Sequence, residues 1–261
     1  MAPSPYLLVQ LSDPHMRVGS GDSGTAAALE EAVRAVAALD PPPGAVLVSS
    51  DIAEHGDAHE YERARELLAR LSMPVHVLAG NLDDRDALAA CLGSGASDYY
   101  HYSARCGPLR LVACDTTRLG RDDGRMDPDR LAWLEAELAA DRETPTILAM
   151  HHPPIAIGIR AMDEIGLPEP DRLAIADLLA RNPQVRRVVA GHVHRTVFGQ
   201  LDGRVVFTCP STYVQTALDL SGSDRLSIVR EPPGFAVHVA HPEALVTHVQ
   251  PIGDYGPAVA L

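Results

Sequence analysis

The chain is poor in aromatic residues, in positive charge and in cysteine. Aromatics make up 4% of its 261 residues against 46% for all hydrophobic residues, so the interior has to be built from Leu, Val, Ala and Ile. Twenty-two Lys and Arg against 35 Asp and Glu leave a formal net charge of −13. That balance excludes a nucleic-acid polymer as partner, because neutralising a phosphate backbone takes a basic stripe. It also argues against docking on an anionic membrane. A small anionic substrate is compatible with it, since bound divalent cations reverse the local field. The four cysteines (Cys91, Cys106, Cys114, Cys209) have no paired spacing and read as reduced structural thiols of a cytoplasmic protein. No apolar run approaches the ~18 residues of a membrane span. The start, Met1-Ala2-Pro3-Ser4-Pro5, lacks the basic and apolar regions of a signal peptide.

What is present is an alternation of strand-like and helix-like runs, in a length that suits one α/β domain over 1–261. Apolar, β-branched runs at Tyr6–Leu11, Ala45–Val48, Val75–Leu78, Leu109–Cys114, Thr146–Met150 and Val185–Ala190 predict strands. Helices are expected over Thr25–Leu39, Ala58–Leu71, Asp83–Leu92, Pro128–Ala140 (with Asp127 as N-cap) and Pro170–Arg181. From about residue 196 the pattern changes to short strands without helices: Thr196–Gln200, Arg204–Cys209, Leu226–Val229, Phe235–Val239 and Leu245–Gln250. The expected architecture is a two-sheet α/β sandwich whose second sheet is completed by this tail. Gly93–Ser97 and Gly158–Pro170 read as loops.

Five of the strand-like runs end in side chains that can bind metal: Asp13-Pro14-His15, Ser50-Asp51, Gly80-Asn81-Leu82-Asp83, His151-His152-Pro153 and Gly191-His192-Val193-His194. Strand ends of this kind gather at one edge of an α/β sheet, where such sheets bind ligands. Asp13 and His15, like His192 and His194, are two residues apart, so an extended chain aims both to one side. Either pair alone is more often a turn or a hydrogen-bonded core pair. Five motifs in matching contexts point instead to a two-metal hydrolase. The donors are nitrogen and oxygen with no thiolate, which suits two divalent ions of Mn, Fe, Co or Zn. Asp51 is the natural bridge, since one carboxylate can serve both ions. The remaining histidines read as surface or structural, with His55 placed near enough to the bridging Asp to line a cleft. Gly19-Ser20-Gly21-Asp22-Ser23-Gly24 mimics a dinucleotide-binding turn, but seven residues separate it from its strand, so it reads as a glycine loop.

The motif order, with Gly56 and Tyr61, Asp83-Asp84-Arg85, Leu131-Ala132-Trp133-Leu134-Glu135, Met162-Asp163 and Pro210-Ser211-Thr212, resembles the calcineurin-like metallophosphoesterases over roughly residues 6–215. Within them it is most similar to the class III cyclic-nucleotide phosphodiesterases and the glycerophosphodiesterases. The resemblance implies a four-layer αββα sandwich of two mixed sheets. It implies one metal held by Asp13, His15, Asp51 and His194, and a second by Asp51, Asn81, His151 and His192. The expected reaction is hydrolysis of a small phosphodiester by a metal-bound hydroxide, with Asp51 and Asn81 in the catalytic centre and His152 and Arg85 contacting phosphate. A homodimer or higher homo-oligomer is implied as well.

Two positions depart from the family pattern. Ser50 replaces the usual Gly before the bridging Asp. Leu82 replaces the His that assists the leaving group, help worth about 10²- to 10⁴-fold. Leaving-group assistance must then come from His152, His55 or a water, or is absent. The rival reading, resting on Leu82, is a low-turnover metal-binding phosphate or nucleotide sensor or scaffold.

Overall fold

The computed structural model describes residues 5–19, 24–93, 99–256 and 259. Its first sheet contains β1 (Tyr6–Leu11), β2 (Ala45–Ser49) and β3 (Val75–Leu78) in parallel, in the order β13-β12-β1-β2-β3. The outer pair, β12 (Gly234–Ala240) and β13 (Leu245–Pro251), runs antiparallel to its neighbours. The second sheet has the order β4-β5-β6-β7-β9-β8. Here β5 (Leu109–Cys114), β6 (Thr146–Met150), β7 (Val185–Ala190) and β9 (Arg204–Thr208) are parallel, while β4 (Tyr102–Cys106) and β8 (Val197–Leu201) are antiparallel edges. A short pair, β10 (Gln215–Thr216) with β11 (Ile228–Val229), stands apart.

The period-2 alternation of each strand sorts its residues into three apolar layers. Val9, Leu11, Val46, Val48 and Val77 face α1 (Thr25–Ala37), α2 (Ala58–Leu68) and α3 (Arg85–Leu92). Leu8, Leu47 and Leu78 meet Leu111, Ala113, Ile147, Ala149 and Phe207 between the sheets. Val112, Leu148, Met150 and Val188 pack on α4 (Pro128–Ala140) and α6 (Glu169–Arg181). The layers therefore run α-β-β-α, and the central strands are apolar on both faces, as parallel strands covered by helices must be. Helix starts follow local chemistry. Asp127 accepts a bond from Arg130 N with Pro128 in the first turn, and Asp57 with Glu60 forms a capping box at α2.

The fold corrects the expected tail. Only β8 and β9 extend the second sheet; β12 pairs onto β1 and β13 onto β12, extending the first. Alternation reports which faces a strand buries, whereas its partner is set by the path of the chain, so the tail could not be assigned from pattern alone. The loop expected over 158–170 contains a one-turn helix, α5 (Arg160–Glu164), too short to show periodicity. Strand β4 also escaped the pattern, because its edge position leaves Ser103 and Arg105 exposed. Of the two glycine-rich stretches, residues 20–23 and 94–98 lie outside the described residues. All four cysteines are free, and no described helix is long and apolar enough to cross a membrane.

Candidate metal centre

The five motifs leave the carboxyl ends of β1, β2, β3, β6 and β7, three from one sheet and two from the other, so they meet across the top of the sandwich. The backbone there turns sharply. Six of the seven non-glycine residues with positive φ among the described residues are Asp13, His15, Ser50, Asp51, His192 and His194, with φ between 40° and 88°. Left-handed conformations in such residues cost roughly 1–3 kcal/mol each and concentrate where function requires them. Cross-strand bonds hold the turns: Asp13 N donates to Ser50 O (3.2 Å), His15 N to Asp51 O (3.0 Å) and His192 N to Asp13 Oδ1 (3.1 Å). Two glycines are sterically required. A Cβ on Gly80 would lie 2.1 Å from Asp51 Oδ1, and one on Gly191 would lie 2.4 Å from Ser49 O.

The ligand-type atoms form two groups that share one oxygen. On one side His15 Nε2 lies 2.8 Å from His194 Nε2 and 3.8 Å from Asp51 Oδ2, and His194 Nε2 lies 3.8 Å from Asp13 Oδ1. On the other, His151 Nε2 lies 2.6 Å from Asn81 Oδ1, 3.1 Å from His192 Nδ1 and 3.6 Å from the same Asp51 Oδ2. The second oxygen of Asp51 is held by Leu82 N at 3.0 Å. All seven predicted ligand residues are thus brought together.

The remote ring nitrogens of three of the four histidines are fixed in the way metal-binding histidines require. His15 Nδ1 sits 2.7 Å from Glu54 Oε2, His194 Nδ1 sits 3.1 Å from Val214 O, and His151 Nδ1 sits 2.6 Å from Ser50 Oγ. Asp13 Oδ2 accepts from Ser12, which begins a buried polar chain through Ser49 and Gln10 to His238.

Electrostatics point the same way. Burial lifts the carboxyl of Asp13 to about 7 and that of Asp51 well above the carboxylate range. It pushes His151 and His192 well below the usual imidazole value and His194 down to about 3. Burial would depress His15 too, but its bond to Glu54 and the charges of Asp51 and Asp13 outweigh that and raise it to about 9. The neutral imidazoles of His151, His192 and His194, crowded beside buried carboxylates, are what divalent cations stabilise, since the cations supply the missing countercharge. The donor set and its shared oxygen fit a pair of such ions.

The other two predicted residues are placed differently. His152 is fully buried; its Nδ1 is 2.8 Å from Thr116 Oγ1 and its Nε2 2.9 Å from Asp122 O, so neither nitrogen is open to the cleft. Arg85 lines the cleft with its guanidinium anchored on Asp115 (2.8 Å) and Thr117 O (2.7 Å). The cleft encloses about 680 Å³ beside Asn81, and His55, Leu82, Arg118 and Arg121 also line it. Ser50, Glu54 and Asp83 went unassigned from sequence, because their partners are distant along the chain. Asp83 accepts from the backbone of Gly80, Ile52 and Ala53 and so joins two of the turns that carry candidate ligands.

Comparison with known proteins agrees with this geometry. The model of the family described as calcineurin-like phosphoesterase matches residues 6–196. The chain is 30% identical to a probable glycerophosphodiester phosphodiesterase of Arcobacter nitrofigilis, over 95% of this chain and 94% of the relative. It is 34% identical to a 3',5'-cyclic adenosine monophosphate phosphodiesterase of Pseudomonas aeruginosa, over 88% and 83%. A dimetal phosphatase from Danio rerio shares the fold at a TM-score of 0.70 and 16% identity, covering 95% and 96% of the two chains. With a matching family model over most of its length and relatives alike nearly end to end, this chain belongs to the calcineurin-like phosphoesterase family.

Proposed function

We propose that this protein is a two-metal hydrolase of small phosphodiesters. The observation that carries the reading is Asp51 Oδ2, which faces both ligand groups at 3.8 and 3.6 Å. Asp13, His15, Asp51 and His194 would hold one divalent ion, and Asp51, Asn81, His151 and His192 the other. The nitrogen and oxygen donors suit Mn, Fe, Co or Zn. Such a pair supplies charge neutralisation for a phosphate and an acidified water.

The chain's own residues prepare the rest. Glu54, Val214 O and Ser50 hold the imidazoles in one orientation, and Leu82 N holds Asp51. The cleft, about 680 Å³, is large enough for a substrate of nucleotide or glycerophosphodiester size. Relatives named as glycerophosphodiester and cyclic-nucleotide phosphodiesterases support a diester over a monoester. They also disfavour the sensor reading that Leu82 suggests.

A turnover screen of the metal-loaded protein over cyclic nucleotides, glycerophosphodiesters and matched monoesters tests this. Diesters should be the better substrates, and chelation that strips both ions should abolish turnover. Preference for monoesters, or full activity after stripping, would overturn the reading.

A further inference from the structure

Position 82 carries a leucine at the lip of the cleft, so a departing alkoxide receives no proton from that side chain. We infer that His55, oriented by Glu60, supplies that proton. The inference rests on the phosphodiesterase reading above and assigns it a catalytic acid.

The geometry starts from the buried carboxylate of Glu60, whose side chain is 3% exposed while that of His55 is 67% exposed. Glu60 Oε1 lies 2.8 Å from His55 Nδ1, and Glu60 Oε2 accepts from His55 N at 2.9 Å. An ionised carboxylate only accepts, so Nδ1 keeps its hydrogen toward Glu60. Nε2 is then the ring atom left for the cleft, the arrangement in which a carboxylate fixes the tautomer of an acid–base histidine. Glu60 is itself held in the capping box of α2, so the pair stands on a helix start rather than on a free loop.

His55 is also in the right place. It lines the same cleft as Asn81 and Leu82. Asp83 bonds Ile52 N (3.1 Å), Ala53 N (3.0 Å) and Gly80 N (2.9 Å), tying the turn that carries His55 to the turn that carries Leu82. A Cβ on Gly56 would lie 3.4 Å from Leu82 O, so the two turns run close to each other. Asp83 and Asp84 also line the cleft but accept from backbone N–H groups, as ionised carboxylates do. Arg85, Arg118 and Arg121 do not release protons. Bonds from His15 and Arg17 outweigh the burial of Glu54 and hold its carboxyl down to about 2, so it has no proton to give. His152 has both nitrogens engaged away from the cleft. His55 is the cleft's only imidazole among the described residues.

In the step assigned to it, a water oxygen forms a bond to phosphorus as the bond from phosphorus to the leaving oxygen breaks. His55 acts from its imidazolium form, with a hydrogen on each nitrogen: the one on Nε2 passes to that oxygen, which leaves as a neutral alcohol, and the ring is left neutral with Nδ1–H on Glu60. The attacking water gives up a proton to solvent, and the imidazole takes one back, so the ring ends as it began.

The test compares metal-loaded wild type and His55→Gln on two diesters, bis(p-nitrophenyl) phosphate and glycerophosphoethanolamine. A nitrophenolate leaves unaided, whereas an alkoxide needs the proton. The variant should lose about 10- to 100-fold in kcat on the alkyl diester and less than about twofold on the aryl one, a range set by general acid catalysis. Metal content and melting temperature should stay at wild-type values. Adding Leu82→His to His55→Gln should restore alkyl turnover at least about tenfold, because the imidazole returns to the same lip of the cleft. Equal losses on both esters, or no loss on the alkyl ester, would overturn the assignment while leaving the phosphodiesterase reading intact. Wild-type protein that binds two ions and turns over neither diester would overturn both.

Discussion

Ser50 offers a test in which two opposing effects can be separated. Its φ of 88° is one that glycine adopts freely and serine does not, a strain of about 1–2 kcal/mol. Its hydroxyl lies 2.6 Å from the Nδ1 of the fully buried His151, and that bond leaves His151 Nε2 facing Asn81 and Asp51. Ser50→Ala keeps the strain and deletes the bond, leaving a buried ring nitrogen unpaired at a cost of about 1–3 kcal/mol. Ser50→Gly also deletes the bond but relieves the strain, less about 0.5–1 kcal/mol for the freedom glycine adds to the unfolded chain. The glycine variant should therefore be more stable than the alanine variant by about 0.5–1 kcal/mol. In a domain of this size that is a difference of about 1–4 °C in melting temperature of the metal-free proteins. Metal affinity should not follow stability. Both variants lose the group that orients His151, and removing such a partner typically weakens binding about 10- to 100-fold. Metal titration of the two variants beside wild type, with melts on the same samples, reads both quantities. Wild-type affinity in Ser50→Ala would refute the argument that the hydroxyl orients His151. An alanine variant as stable as the glycine variant would refute the strain.

Asp51→Ala removes the oxygen shared by both ligand groups, so elemental analysis should find one or both ions lost; two ions retained would reject the bridge. Asp83→Ala strands three backbone N–H groups on two turns, at about 1–3 kcal/mol each, and should lower the melting temperature by at least about 6 °C; an unchanged melt would deny the staple. His238 is pushed down to about 3 by burial, with Arg187 adding to the effect, from the 6.5 it has when unfolded. Between those values the unfolded chain binds a proton that the fold refuses, so stability falls as pH drops below about 6.5, by up to about 1.4 kcal/mol per unit. Urea midpoints from pH 7.5 to 5 should fall less steeply in His238→Gln, and identical slopes would mean that the folded protein protonates His238.

Much of this protein was legible because the relevant physics is local. Strands buried on both faces need continuous apolar, β-branched runs, so β1, β3, β5, β6 and β7 could be read residue for residue. Metal ligation needs particular side chains just beyond those runs, so Asp13, His15, Asp51, Asn81, His151, His192 and His194 stood out before any fold was known. Asp127 and Pro128 announced α4 by the same local logic.

Tertiary structure decided what depends on partners far apart in sequence. Ser50 and His151 are 101 positions apart, and no pattern in either segment foretells the bond between them. His152 sits next to the candidate ligand His151 in the chain, yet Thr116 and Asp122 claim its nitrogens from another loop. The tail strands carry the same alternation whichever sheet they join, and only the course of the chain sends β9 to β7 and β12 to β1. Leu82 announced a missing proton donor, but the bonds of Asp83 to Ile52, Ala53 and Gly80 are what bring the turn of His55 to the same cleft. Side-chain identity and period-2 burial are properties of a segment, whereas contacts between loops exist only once two sheets have closed on each other.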